Sequence, residues 1–344
     1  MQNKTKACTV IDTVPLPKQG PLPTLDPFLF CVHHNDNYPS GTDQLGPNAS
    51  LGGRTLGSDF GNKDGWNMYH GLKVPGFPRH PHRGFETITA VKTGIIDHAD
   101  SLGAAARYGD GDVQWLTAGN GINHAEMFPL LDRQGHNNLD FFQIWLNLPR
   151  AKKRVTPHFK MFWANQVPER QLADAKGLIT RLTIIAGRYF DAQPPGPPPN
   201  SWASEQKNHV SVMRIEIPGE GRWTLPPGPS GVHRAVYVIA GSVSVNALPS
   251  VSRVRLQLDP ECASEFLAAN GPATLLLLEG APIGEPVVQH GPFVMNTRQE
   301  IVEAYSDYKT TQFGGWPWES NEPIHGAQRV RFTVGPDGRR NEPT

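Results

Sequence analysis

The chain has 344 residues, about twice the usual single-domain size, so two domains are expected. Hydrophobic residues make up 38% and charged residues 19%, which is enough for packed cores and too little charge for a disordered chain. Lys+Arg and Asp+Glu balance at 32 each, so the basic surplus of a protein that neutralises phosphates is missing and direct nucleic-acid binding is not expected.

Glycine and proline, 35 and 33 residues, punctuate the chain too often for long helices and favour short strands joined by turns. Residues 7–14 read as a strand, followed by a proline-rich approach to Pro27 and Phe28. Residues 33–72 are polar and glycine-rich, with little periodicity, and read as a long structured loop or insertion. Strands are then expected over 87–91, 113–116 and 141–148, separated by glycine turns. Residues 154–176 look helical or irregular. A second set of strands follows over 178–185, 210–217, 235–245 and 273–278. The segment QPPGPPPN (193–200) reads as an exposed polyproline loop. Residues 297–310 carry Ile301, Ala304, Tyr305 and Tyr308 at helical spacing, and the last residues, GPDGRRNEPT, read as a disordered tail.

The two strand sets look like copies. ETITAVKTG (86–94) aligns with HRAVYVIAG (233–241), and LTAGNG (116–121) resembles LAANG (267–271). The expected fold class is therefore all-β, with two barrels.

Cys8, Cys31 and Cys262 are too few and too widely spaced for a disulfide framework or a CxxC zinc site. No apolar run approaches the ~18 residues of a membrane span, and the N-terminus lacks the apolar core of a signal peptide. The expectation is a soluble protein of a reducing compartment: the cytoplasm and, in a eukaryote, also the nucleus.

His80-Pro81-His82 is the strongest chemical signal. Side chains at i and i+2 of a strand leave the same face, so both imidazoles point one way. His124-Ala125-Glu126 repeats the pattern further on. A single histidine is more often a hydrogen-bonded core residue than a ligand, but two same-face pairs in one β segment favour ligation. Three imidazoles and one carboxylate suit a first-row metal with positions left open. Glu86, four residues after His82, is the rival carboxylate. His33, His34, His70, His98, His136 and His158 have no second partner at ligand spacing and are read as structural. No complete GxGxxG, P-loop, GxSxG or HExxH motif is present.

Four stretches in order, GFPRHPHRGFET (76–87), DVQWLTAGNGINHAEMFP (112–129), QIWLNLP (143–149) and GEPVVQHGPFVMNT (284–297), resemble the pirins of the cupin superfamily. The resemblance runs from about residue 27 to about residue 313. It implies two cupin-type barrels: an N-terminal metal-binding barrel over 1–160 with 33–72 as its insertion, a degenerate barrel over 161–313, and an extension over 314–344. It implies one first-row transition metal, Fe(II), on His80, His82, His124 and Glu126, and so decides for Glu126 over Glu86. Two activities follow from it. One is dioxygenation of a flavonol-like aromatic small molecule such as quercetin, with Glu126 catalytic and Phe77, Phe85 and Trp115 flanking the substrate. The other is a redox-sensitive regulatory role with a transcription factor or metabolic enzyme as protein partner. The alignment also sets Pro227, Pro229, Thr274 and Leu276 at the ligand positions of the second barrel, which is expected to hold no metal.

Overall fold

The computed structural model describes residues 9–246 and 248–344, so Ala7 and Cys8 of the first expected strand lie outside the described residues. Among the described residues strands dominate, with one α-helix, Arg298–Thr311, and short 3-10 turns. The chain divides into two units: one contains residues up to Val32 and 166–284, the other 33–165 and 285–344. These limits differ from the linear 1–160, 161–313 and 314–344 of the sequence. The reason is strand pairing between distant segments. Val10–Pro15 pairs with Val254–Leu258, and Phe332–Val334 pairs with Ala105–Gly109, so each terminus joins the unit far from it in sequence.

The unit holding the histidines is built on two antiparallel sheets. The first has the order His158–Phe162, Val113–Thr117, Phe85–Thr93, Asn137–Asn147, Phe28–Tyr38. The second runs Arg340–Asn341, Phe332–Val334, Ala105–Gly109, Ile95–Asp100, Ile122–Met127, Gly76–His82. Tyr38, Trp66, Met68, Ile96, Tyr108, Phe128 and Phe141 are among the side chains of its apolar core. Gly84 makes the turn between the Gly76–His82 and Phe85–Thr93 strands. It sits at φ +87, and a Cβ there would lie 1.9 Å from the Val294 carbonyl oxygen. The helix begins with Thr297 Oγ1 accepting from Glu300 N at 3.2 Å, while Glu300 Oε2 accepts from Asn296 N at 3.1 Å. This Thr-x-x-Glu arrangement satisfies backbone donors that the first turn leaves unpaired. Ile301 and Ala304 then bury against Phe293, Met295 and Phe313, whereas Tyr305 stays exposed.

The other unit has a seven-stranded sheet with His233–Ala240 between Val254–Leu258 and Ala273–Gly280, and a small sheet of Arg222–Leu225, Ser264–Leu267 and Ser244–Val245. Phe85–Thr93 and His233–Ala240 hold the same place, each between two antiparallel partners and each followed by a glycine of positive φ. The second half of the sequence alignment shifts, however. The counterpart of the Gly76–His82/Ile122–Met127 pair is Arg222–Leu225/Ser264–Leu267, not a pair involving Ala273–Gly280. There Trp223 and Phe266 are directly paired, buried and stacked at 5.5 Å.

Four local expectations change. Phe28–Tyr38 continues as a strand into the supposed loop, and residues 154–176 contain the strands His158–Phe162 and Glu169–Ala173. Pro194 and Pro198 of the polyproline loop are buried. The tail folds back, Arg340–Asn341 pairing with Phe332–Val334. Cys31 is a buried free thiol. No helix among the described residues is long and apolar enough to cross a membrane.

Candidate metal centre

Register brings the two motifs together. Gly76–His82 pairs antiparallel with Ile122–Met127 so that His80 stands directly opposite His124. Directly opposed side chains of an antiparallel pair share a face and lie within contact distance. His82 and Glu126 then join the same face by the two-residue alternation. One ring nitrogen from each of His80, His82 and His124 lies within 4.8 Å of the others. His80 Nε2 and His82 Nε2 are 3.1 Å apart, and the His80 and His124 ring centroids are 4.4 Å apart. His82, His124 and Glu126 are buried and His80 is half-buried.

Two observations fit this cluster to a metal ion. Both ring nitrogens of His124 are buried without a hydrogen-bond partner, a costly arrangement unless a Lewis acid takes the lone pair. The rings are also held neutral, the state that ligates. Burial lowers His80 to about 4, and it pushes His82 and His124 well below the ordinary histidine value, with neighbouring imidazoles adding to the effect. Imidazole donors suit zinc, copper, iron and nickel.

Glu126 is beside the triad rather than within it. Its Oε2 is 3.9 Å from His124 Nε2. Gln143 Nε2 donates to the same oxygen at 2.7 Å, and Thr89 Oγ1 donates to Oε1 at 3.2 Å. Burial raises its carboxyl above the usual range, against the lowering effect of these hydrogen bonds. Glu86 is elsewhere: the turn at Gly84 puts it on the next strand, where Thr117 Oγ1 donates to it at 2.6 Å.

The other histidines separate. His98 lies opposite Glu126 in register, with its ring 5.6 Å from His124 and its Nε2 3.2 Å from Asp100 Oδ2. Spacing alone read it as structural, because its partner lies on another strand. Gln143 and Thr89 were missed for the same reason. His33 bonds Asp140 and His136 bonds the Tyr38 carbonyl. Of the aromatic residues, Phe77 and Phe85 do reach the cluster, at 6.3 Å from His80 and 5.0 Å from His82. Trp115 does not; it is core, packed at 6.3 Å on Phe162. Trp145, which the sequence reading did not single out, lies 5.3 Å from His82 and stacks on Phe85 at 4.2 Å.

Residues 13–146 match the family described as Pirin, and residues 212–314 match the Pirin C-terminal cupin domain. A Pseudomonas aeruginosa protein named "Putative quercetin 2,3-dioxygenase" is 36% identical over 69% of this chain and 79% of its own length. The chain belongs to the pirin family. Rat pirin is 32% identical over 72% of this chain and 81% of its own. A solved structure titled quercetin 2,3-dioxygenase, from Acinetobacter baumannii, superposes with a TM-score of 0.71 at 26% identity, covering 90% of this chain and 99% of that one. Membership gives both barrels the cupin fold and puts the histidine triad in the Pirin domain.

Proposed function

We propose that this protein is a metal-dependent dioxygenase that cleaves flavonol-type substrates with O₂. The observation that carries the reading is the triad of neutral imidazoles with both His124 nitrogens unpartnered and a buried carboxylate beside it. The relatives and the structural neighbour named as quercetin 2,3-dioxygenases support the substrate class. His80, His82 and His124 would hold the ion, a first-row metal taken as Fe(II), and Glu126 would be its fourth ligand. When bound, the ion supplies Lewis acidity and a site where O₂ and substrate meet.

The remaining work falls to side chains. Glu126 accepts the proton of the flavonol 3-hydroxyl; burial makes it the more basic carboxylate, and Gln143 and Thr89 fix the direction of its oxygens. Phe85 and Trp145, stacked on each other, brace the His82 ring. Half-buried Phe77 offers a ring face beside His80. Both atoms of O₂ enter the organic product, so no external reductant is required.

The test is turnover of quercetin by iron-loaded protein, followed by O₂ uptake and loss of the flavonol absorbance, with His82→Ala as control. Turnover that vanishes in the variant is expected. Wild-type protein carrying one iron per chain that consumes no O₂ with any flavonol overturns the reading.

A further inference from the structure

His80 is half-buried whereas His82, His124 and Glu126 are buried, so the His80 side of the centre is the one nearest the surface. Aromatic rings succeed one another outward from it. Phe77 is 6.3 Å from His80, His70 is 5.7 Å from Phe77, and Phe60 is 5.1 Å from His70, each meeting its neighbour edge to face. The outer two rings are exposed. Phe77 is half-buried, His70 is exposed, and Phe60 is exposed at 46% although apolar. Leu56 and Leu72 are also exposed, and Leu72 lies against Gly57, whose carbonyl bonds His70 Nδ1 at 2.6 Å. That bond fixes the proton on Nδ1 and leaves Nε2 as an acceptor.

The outer two rings belong to the segment between Tyr38 and Gly76, and that segment is built to stay in place. Tyr69 is held at φ 56, a left-handed conformation that a bulky residue adopts only when its surroundings impose it. Its hydroxyl donates to Asp36 Oδ2 at 2.6 Å, and its backbone exchanges two hydrogen bonds with Asp59. The Arg54 guanidinium lies 3.3 Å over the Trp66 ring and donates to Asp59 at 2.9 Å. A wall fixed in advance loses little entropy when a flat ligand lies on it.

We infer that Phe60 and His70 form an aromatic lip that selects extended, planar, polycyclic aromatic substrates over small chelators bearing the same 3-hydroxy-4-oxo unit. This rests on the dioxygenase reading and adds to it a specificity element supplied by the insertion. The metal end of the substrate is bound by the centre; the far rings lie on His70 and Phe60, where a phenolic hydroxyl can donate to His70 Nε2.

The experiment uses full-length, iron-loaded protein titrated without O₂. The probes are quercetin and a monocyclic 3-hydroxy-4-pyranone, too short to pass Phe77. In Phe60→Ala and His70→Ala, affinity for quercetin should fall about tenfold, equivalent to ~1.4 kcal/mol of lost ring contact. Affinity for the pyranone and iron content should not change, and Phe60→Trp should retain quercetin binding. Equal losses for both probes, or unchanged quercetin binding, overturn the lip while leaving the proposed function standing. Wild-type protein that binds the pyranone but not quercetin overturns both.

Discussion

His34 offers a quantitative test of the buried network behind the lip. Its Nδ1 is 2.8 Å from the Tyr69 hydroxyl, which itself donates to Asp36, so His34 Nδ1–H is the donor. Its ring stacks on Phe141 at 4.4 Å. Burial, with a smaller contribution from His33, holds it down to about 3. The unfolded chain therefore binds a proton that the folded protein refuses between the ordinary value of ~6.5 and about 3, and stability falls as pH falls through that window. At 1.36 kcal/mol per pH unit, acidification from pH 7 to pH 4 costs about 3 kcal/mol through this residue alone. Asp36 works the other way. Burial raises it to about 6 against the hydrogen bonds from Tyr69 and Asn67, so its destabilising effect at neutral pH is relieved as pH falls from about 6 towards its unfolded value. His34→Phe keeps the stacking area, deletes the His34 titration and leaves that of Asp36. The variant should lose about 1 kcal/mol at pH 7, the value of the hydrogen bond to Tyr69. It should then overtake wild type between about pH 5 and 6, as the His34 penalty outgrows that loss. Native-state hydrogen exchange of amides in the Phe28–Tyr38 strand, on metal-free protein, reads the difference directly. A gap between wild type and variant that stays constant from pH 7 to pH 4 would refute the reasoning.

Two further predictions concern the centre and its frame. The His80→Ala/His124→Ala double variant should fold and bind no iron, and wild type should carry one ion per chain in native mass spectrometry, because the Arg222–Leu225/Ser264–Leu267 pair of the second barrel carries Trp223 opposite Phe266 and no histidine; full metal retention in the double variant, or a second tightly held ion, contradicts this. Arg107 is fully buried, paired through two bonds of 2.7 Å to Asp97, and donates to the carbonyls of Gly326 and Gln328, so Arg107→Met strands a buried carboxylate and should cost about 3–5 kcal/mol in thermal or urea unfolding, whereas a loss below about 1 kcal/mol would show that Asp97 finds other partners.

Local rules made much of this protein legible from residues alone. Short apolar runs between glycine turns expose strands such as Phe85–Thr93 and Ile179–Ala186, and Ile301, Ala304, Tyr305 and Tyr308 at helical spacing expose the helix. His80-Pro81-His82 and His124-Ala125-Glu126 each display a same-face pair, because strand geometry dictates where i and i+2 point whatever the strand is paired with. Tertiary structure decided the rest, since strand pairing joins residues that no local rule relates. Only the register puts His80 opposite His124, His98 opposite Glu126, and Gln143 and Thr89 on the Glu126 carboxylate. Only the sheet order sends the first strand to the second barrel and the last strands to the first. The segment after Tyr38 reads as loop because it has no periodicity; its order comes from Tyr69, Asp36, Asp59 and Arg54, whose contacts become visible only once the chain has folded.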